Sequence, residues 1–217
     1  MVEEILSKNA ANALVTLGAS GLLNSSYLAG GTALALQLGH RYSFDFDFFT
    51  REKFDEEIVI QRLAELLPNF KLERKSWETI LGFVGDTRFN LFFYKYPLLF
   101  KTHKFLDIEV ADIKDIAPMK IAAIVDRGVK RDFIDMYFIF EVKKIMTIDE
   151  ALSLYDKKFK ALTQNKVYIL KSLGYFEDAE KDELPQMRHN VDWVTVKDFF
   201  KEEQKRLTKK LLGLDPN

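Results

Sequence analysis

The chain has 217 residues, 47% of them hydrophobic and 30% charged, with 19 phenylalanines, which is enough apolar material for one good core or two small ones. That composition excludes a disordered or fibrous chain, and the five prolines exclude a long proline-rich linker. The formal net charge of −1 leaves no global basic field, so any RNA contact has to be a local patch, and the absence of cysteine excludes disulfides and thiolate metal sites.

The start, MVEEILSKNA, lacks the basic-then-apolar pattern of a signal peptide. No apolar run approaches the ~18–20 residues of a membrane span, and the reading is a cytoplasmic protein with no membrane partner. Glu3 to Leu17 reads as an amphipathic helix, with Ile5, Leu6, Ala10, Ala13, Leu14 and Leu17 as its packing stripe and an end near Gly18. Tyr27, Leu28 and Ala29 read as a short buried strand. Gly30-Gly31 follows as a turn whose backbone can approach a ligand, Thr32 as a cap, and Ala33 to Leu38 as a helix with its free N–H groups facing the turn. Phe44-Asp45-Phe46-Asp47-Phe48 alternates with period two, so a strand here sends Asp45 and Asp47 to one face and the phenylalanines to the other. Two carboxylates about 6–7 Å apart along a strand suit a hard divalent cation. A helix N-terminus suits phosphate.

Thr50 to Asp55 can start a helix carrying Ile58, Ile60, Leu63, Leu66 and Leu67, closed by Pro68. Lys71 to Lys75, Thr79 to Val84 and Arg88 to Tyr94 read as strands, the last two joined at a Gly85-Asp86 hairpin. Phe105 to Val110 reads as one further strand, with Leu106, Ile108 and Val110 on one face and Asp107 and Glu109 on the other. From Asp112 the pattern turns helical. Asp115 is the expected cap of a helix from Ile116 to Arg127, Asp132 starts another through Phe140, and Thr147-Ile148-Asp149-Glu150 is a capping box. Two more helices are expected at Gln164–Leu173 and Thr195–Leu212. The chain thus divides into residues 1–111, an α/β core, and 112–217, a helical domain that completes a nucleotide cleft.

Gly30-Gly31-Thr32, twelve residues, then Asp45-Phe46-Asp47 resembles the signature of the polymerase-β-like nucleotidyltransferase superfamily. The longer form, with Gly39-His40-Arg41-Tyr42-Ser43 before the aspartates and a later segment from Met119-Lys120 to Asp135, resembles the AbiEii/AbiGii toxin family of nucleotidyltransferases. The resemblance implies an α+β fold, a polymerase-β-like core with a mixed sheet flanked by helices, followed by a helical C-terminal half. It implies Gly30, Gly31, Thr32 and Lys120 at the nucleotide, with Arg41 and Ser43 behind the aspartates. Asp45 and Asp47 hold Mg2+ (or Mn2+), and Asp132 and Asp135 join Asp45, Asp47 and Lys120 in the active site. Its participants are an NTP substrate, an RNA or protein acceptor, and a cognate antitoxin.

Several of these residues fit a plainer reading as well. Lys120 fits a solvated helix-surface lysine, and Asp132 fits a helix cap or an ion pair with Arg127 or Lys130. The basic clusters Lys157-Lys158-Phe159-Lys160 and Lys205-Arg206 with Lys209-Lys210 are surrounded by acids, as solvated faces are. The superfamily carries a third carboxylate on a later strand, where this chain has Asn90; Asp107, Glu109 and Asp86 are the remaining acids to weigh. Two classes of function stay open: a magnesium-dependent nucleotidyltransferase, and a catalytically degenerate nucleotide-binding module acting through a protein partner.

Overall fold

Ser7 accepts a hydrogen bond from the Ala10 amide and so sets the start of the first long helix, α1 (Lys8–Ser20), later than its apolar stripe suggests. The computed structural model describes residues 1–160 and 162–214, which divide into two compact units, Met1–Ile116 and Ala117–Asn217. In the first unit, α1 leads to β1 (Ser26–Ala29), α2 (Gly30–Leu38), β2 (Asp45–Thr50) and α3 (Glu56–Leu66). Then follow β3 (Phe70–Ser76), β4 (Thr79–Val84), β5 (Thr87–Phe93), β6 (His103–Phe105) and β7 (Ile108–Val110). The seven strands form one sheet in the order β3-β4-β5-β2-β1-β7-β6. It is mixed, because β2 pairs with β5 and β1 with β7 in parallel while the other pairings are antiparallel. The fold is therefore α+β, a mixed sheet flanked by helices, followed by a helical C-terminal half.

One face of the sheet is the core. Leu28, Phe46, Phe48, Ile80 and Phe89 point into it with no exposed surface, and Phe48 and Phe89 meet with ring centroids 5.6 Å apart. Phe46 and Phe48 alternate along β2 with Asp45 and Asp47, so burying the phenylalanines is what turns both carboxylates to the opposite face.

Other elements depart from the sequence reading as well. Phe105 to Val110 is not one strand: Leu106 (φ 50°) and Asp107 (φ 58°) adopt the left-handed conformation of a two-residue hairpin turn between β6 and β7. Asp107 and Glu109 consequently do not share a strand face. The helix expected from Ile116 begins earlier, as α4 (Ile113–Asp126), because Asp112 rather than Asp115 accepts the Lys114 amide. The Asp115 carboxylate instead takes the Leu99 and Phe100 amides at 2.8–3.0 Å. The helix expected from Asp132 starts at Lys130, as α5 (Lys130–Tyr137), since the Lys130 amide donates to Asp182. It ends in a π-helical turn over Phe138–Val142.

The second unit continues with α6 (Ile148–Phe159), capped by the Thr147/Glu150 box, then α7 (Leu162–Leu173), α8 (Glu177–Glu180) and α9 (Trp193–Leu211). Its core is aromatic: Phe133 packs on Phe176 and Phe200 with centroids 5.1 and 5.2 Å apart.

Thr32 joins helix to strand beneath the glycines. Its hydroxyl donates to the Asp45 carbonyl at 2.5 Å and accepts from the Ser43 hydroxyl at 2.9 Å. Thr32→Val keeps the shape but leaves both partners buried and unmatched, so it should lower stability by about 1–3 kcal/mol in urea titrations.

Candidate active site

Thr32 is not the cap of α2: the helix begins at Gly30, Ala29 stands at the cap position without a side-chain bond, and Thr32 lies buried in the first turn. Gly30 has φ +67°, and a Cβ there would sit 2.5 Å from Asp47 Oδ2. The glycine is thus required twice, by backbone conformation and by the carboxylate resting against it. A Cβ on Gly31 would collide with the Arg41 guanidinium. Arg41 and Ser43 are both buried behind this turn, Arg41 donating to the Tyr42 carbonyl at 3.0 Å. An α-helix leaves its first N–H groups without intrahelical partners, so the first turn of α2 presents donors beside the Asp47 carboxylate.

Sheet register extends the site sideways. Asp45 lies opposite Arg88 on β5, and Asp47 opposite Asn90. The Asn90 amide Nδ2 donates to Asp47 Oδ1 at 2.8 Å, while Asn90 Oδ1 is buried with no hydrogen-bond partner among the described residues. The next strands continue the same face: Arg88 is opposite Phe83 and Phe83 opposite Lys71, while Asn90 is opposite Leu81 and Leu81 opposite Arg74. The Arg88 guanidinium stacks 5.1 Å from the Phe83 ring centre. Lys71, Arg74 and Arg88 are exposed, so three cations share the aspartate face.

None of the acids weighed as a third carboxylate joins the pair. Asp107 is in the hairpin turn, and Asp86 is in the turn between β4 and β5. Glu109 is on the right face but two strands away, level with Phe49, which at ordinary sheet spacings is about 12 Å from Asp47. Its carboxylate accepts from the Thr102 hydroxyl. Among the described residues no group of three His, Cys, Asp or Glu side chains is placed to hold a metal ion.

The second unit holds its own charge cluster. Lys120 Nζ lies 2.8 Å from Asp132 Oδ1 and 2.6 Å from Asp135 Oδ2, and the Arg127 guanidinium adds bonds to Asp132 at 3.0 and 3.3 Å. Lys120, Asp132 and Asp135 are all buried, so Lys120 is not a solvated surface lysine and Asp132, two residues inside α5, is not its cap. In the later basic clusters Arg206 pairs with Asp149 and Glu203, Lys210 with Asp149 and Lys205 with Glu202, and Lys158 is buried.

The family model described as nucleotidyl transferase AbiEii toxin, type IV toxin–antitoxin system, matches residues 12–81 and 84–208. The chain belongs to the AbiEii family of nucleotidyltransferase toxins. It is 38% identical over 203 residues to the uncharacterized protein aq_aa25 of Aquifex aeolicus, covering 92% of this chain and 96% of that one. Its fold is similar to JHP933 from Helicobacter pylori (TM-score 0.55, 18% identity, 99% of this chain and 97% of that one). It is equally similar to MenT4, a nucleotidyltransferase toxin of Mycobacterium tuberculosis (TM-score 0.55, 15% identity, 93% and 86%).

In this AbiEii-family chain the residues missed from sequence are Lys71, Arg74 and Arg88. Lys71 and Arg74 sit in a strand rich in charge and Arg88 in a largely apolar one, and only pairing register puts them on the face of Asp45 and Asp47.

Burial pushes the Asp132 carboxyl up, but Lys120 and Arg127 outweigh it and hold the group below its ordinary value of 3.8. A carboxyl depressed in the folded state contributes stability that is complete above its unfolded pKa and is lost as pH falls through the folded one. Asp132→Asn should therefore flatten the acid limb of the stability profile below about pH 4 while lowering the neutral plateau. Lys120→Ala, which takes the ammonium away from two buried carboxylates while Arg127 still bonds Asp132, should lower stability by about 3–5 kcal/mol in denaturant titrations.

Proposed function

We propose that this AbiEii-family protein is a magnesium-dependent nucleotidyltransferase that moves a nucleotide from an NTP to a hydroxyl of an RNA acceptor, as the toxin of a toxin–antitoxin pair. The observation that carries the reading is the contact of the Asp47 carboxylate with Gly30, which brings phosphate-binding amides and cation-binding oxygens to one point. Two half-buried carboxylates on one strand face form a hard-oxygen donor set that fits Mg2+ or Mn2+, with Asp45 and Asp47 as the ligands. Such a cation, when bound, neutralises phosphate charge and polarises the reacting oxygens.

The first-turn amides of Gly30, Gly31 and Thr32 bind the triphosphate. Arg41, behind Gly31, and Ser43, through Thr32, keep that turn and β2 in place. Lys120, whose ammonium is oriented by Asp132 and Asp135, is assigned to the nucleotide on the family resemblance. The acceptor hydroxyl attacks the α-phosphate and pyrophosphate leaves. Lys71, Arg74 and Arg88, exposed on the face that carries the aspartates, favour a polyanionic acceptor over a protein one. An antitoxin is the expected partner, and NTP and RNA place the reaction in the cytoplasm. No helix among the described residues is long and apolar enough to cross a membrane.

A second reading, a nucleotide-binding module without turnover, rests on Asn90 at the position opposite Asp47. Incubation with each α-labelled NTP, magnesium and total RNA separates the two. The transferase reading expects label in RNA, reduced about 100-fold or more by Asp45→Ala/Asp47→Ala. NTP binding with no transfer to RNA or protein supports the module instead, and absence of NTP binding removes both.

A further inference from the structure

Asn90 does more than leave a carboxylate out. Its Nδ2 donates to Asp47 Oδ1 at 2.8 Å, and Asp47 Oδ2 rests against Gly30, so the carboxylate is held from both sides. The amide orientation is dictated by charge: turned over, it would set its own oxygen against that of Asp47 with no hydrogen between them. The amide hydrogens thus neutralise part of Asp47, as a cation would. The residue is buried, and its Oδ1 has no hydrogen-bond partner among the described residues, so it is kept in place by strand pairing and packing rather than by a hydrogen-bond network of its own.

The charge balance of the face points the same way. An aspartate at this position would give three carboxylates, whereas Asn90 leaves two, with Arg88 directly opposite Asp45 on the neighbouring strand. No third His, Cys, Asp or Glu completes a metal-binding group among the described residues. Magnesium needs six oxygens and sheds water reluctantly, so it settles where one or two carboxylates are joined by substrate phosphates.

We propose that Asn90 makes this a site that holds no divalent cation by itself and takes one only together with the triphosphate, whose oxygens supply the missing ligands and negative charge. The inference rests on the reading of Asp45 and Asp47 as metal ligands. Metal loading and nucleotide loading then become one event, and the protein without nucleotide is insensitive to the cation.

Calorimetric titration with Mn2+ alone, and melting temperature with Mn2+, with a non-hydrolysable NTP analogue, and with both, test this. Wild type should show no Mn2+ binding and no Mn2+-induced shift at millimolar cation, and a rise in melting temperature only with Mn2+ and analogue together, larger than with analogue alone. Asn90→Asp should melt lower than wild type in chelator, because it sets two carboxylates side by side, and should bind Mn2+ without nucleotide at least about tenfold more tightly than wild type. Asn90→Ala, which removes the amide without adding charge, should remain unresponsive to Mn2+ alone.

Mn2+ binding by wild type without nucleotide, abolished by Asp45→Ala/Asp47→Ala, would overturn the inference and leave the metal-site reading standing. No response of wild type to Mn2+ with or without analogue removes both. If Asn90→Asp does not fold in chelator, the wild-type titrations decide alone.

Discussion

The Asp47 carboxylate sits where three pieces of chain meet, with one oxygen against the α-carbon of Gly30 and the other bonded by the Asn90 amide. Everything that makes the first unit a candidate site depends on that wedge. Gly30 has to be glycine, both for its φ of +67° and because any Cβ would occupy the carboxylate's space. The strand before it, β1, has to pair antiparallel with β2 so that Ala29 faces Asp47, and β5 has to pair in parallel so that Asn90 does. A one-residue slip in either pairing would turn Asp45 and Asp47 into the core and bring Phe46 and Phe48 out, at a cost of two fully buried aromatic side chains.

The two units hold their charges under opposite conditions. Asp45 and Asp47 are half-buried, on a face that also carries exposed Arg88, Lys71 and Arg74. Lys120, Asp132 and Asp135 are buried and bonded to one another, where desolvation is expensive and only the pairing makes the charged state tolerable. A substitution in the first set therefore acts mainly on what binds, and in the second on whether the unit folds as well as on what it does.

Local signals in the sequence were enough for the order strand, helix, strand from Tyr27 to Thr50, though not for the start of α2 at Gly30, because alternation with period two and paired glycines act over a few residues. The Thr147/Glu150 capping box is legible for the same reason, both halves of the bond lying within one turn. The start of α5 was not legible, since the group that receives the Lys130 amide, Asp182, is far along the chain. The break in Phe105–Val110 was hidden as well: an apolar alternation continues through Leu106 and Asp107, and nothing local announces that both take positive φ.

What the sequence by itself determined is the chemistry on offer: glycines at a strand end, two aspartates that share a face, a later lysine followed by two aspartates, and the family to which that order belongs. What only the tertiary structure decided is which groups meet. Lys71, Arg74, Arg88 and Asn90 reach the aspartate face through strand pairing alone, and Glu109 is kept from it by the intervening β1. Lys120 becomes a buried, doubly paired cation rather than a surface one for a related reason. Periodicity specifies a face of an element, but the neighbour of that face is chosen by long-range burial and register, which no short stretch of sequence contains.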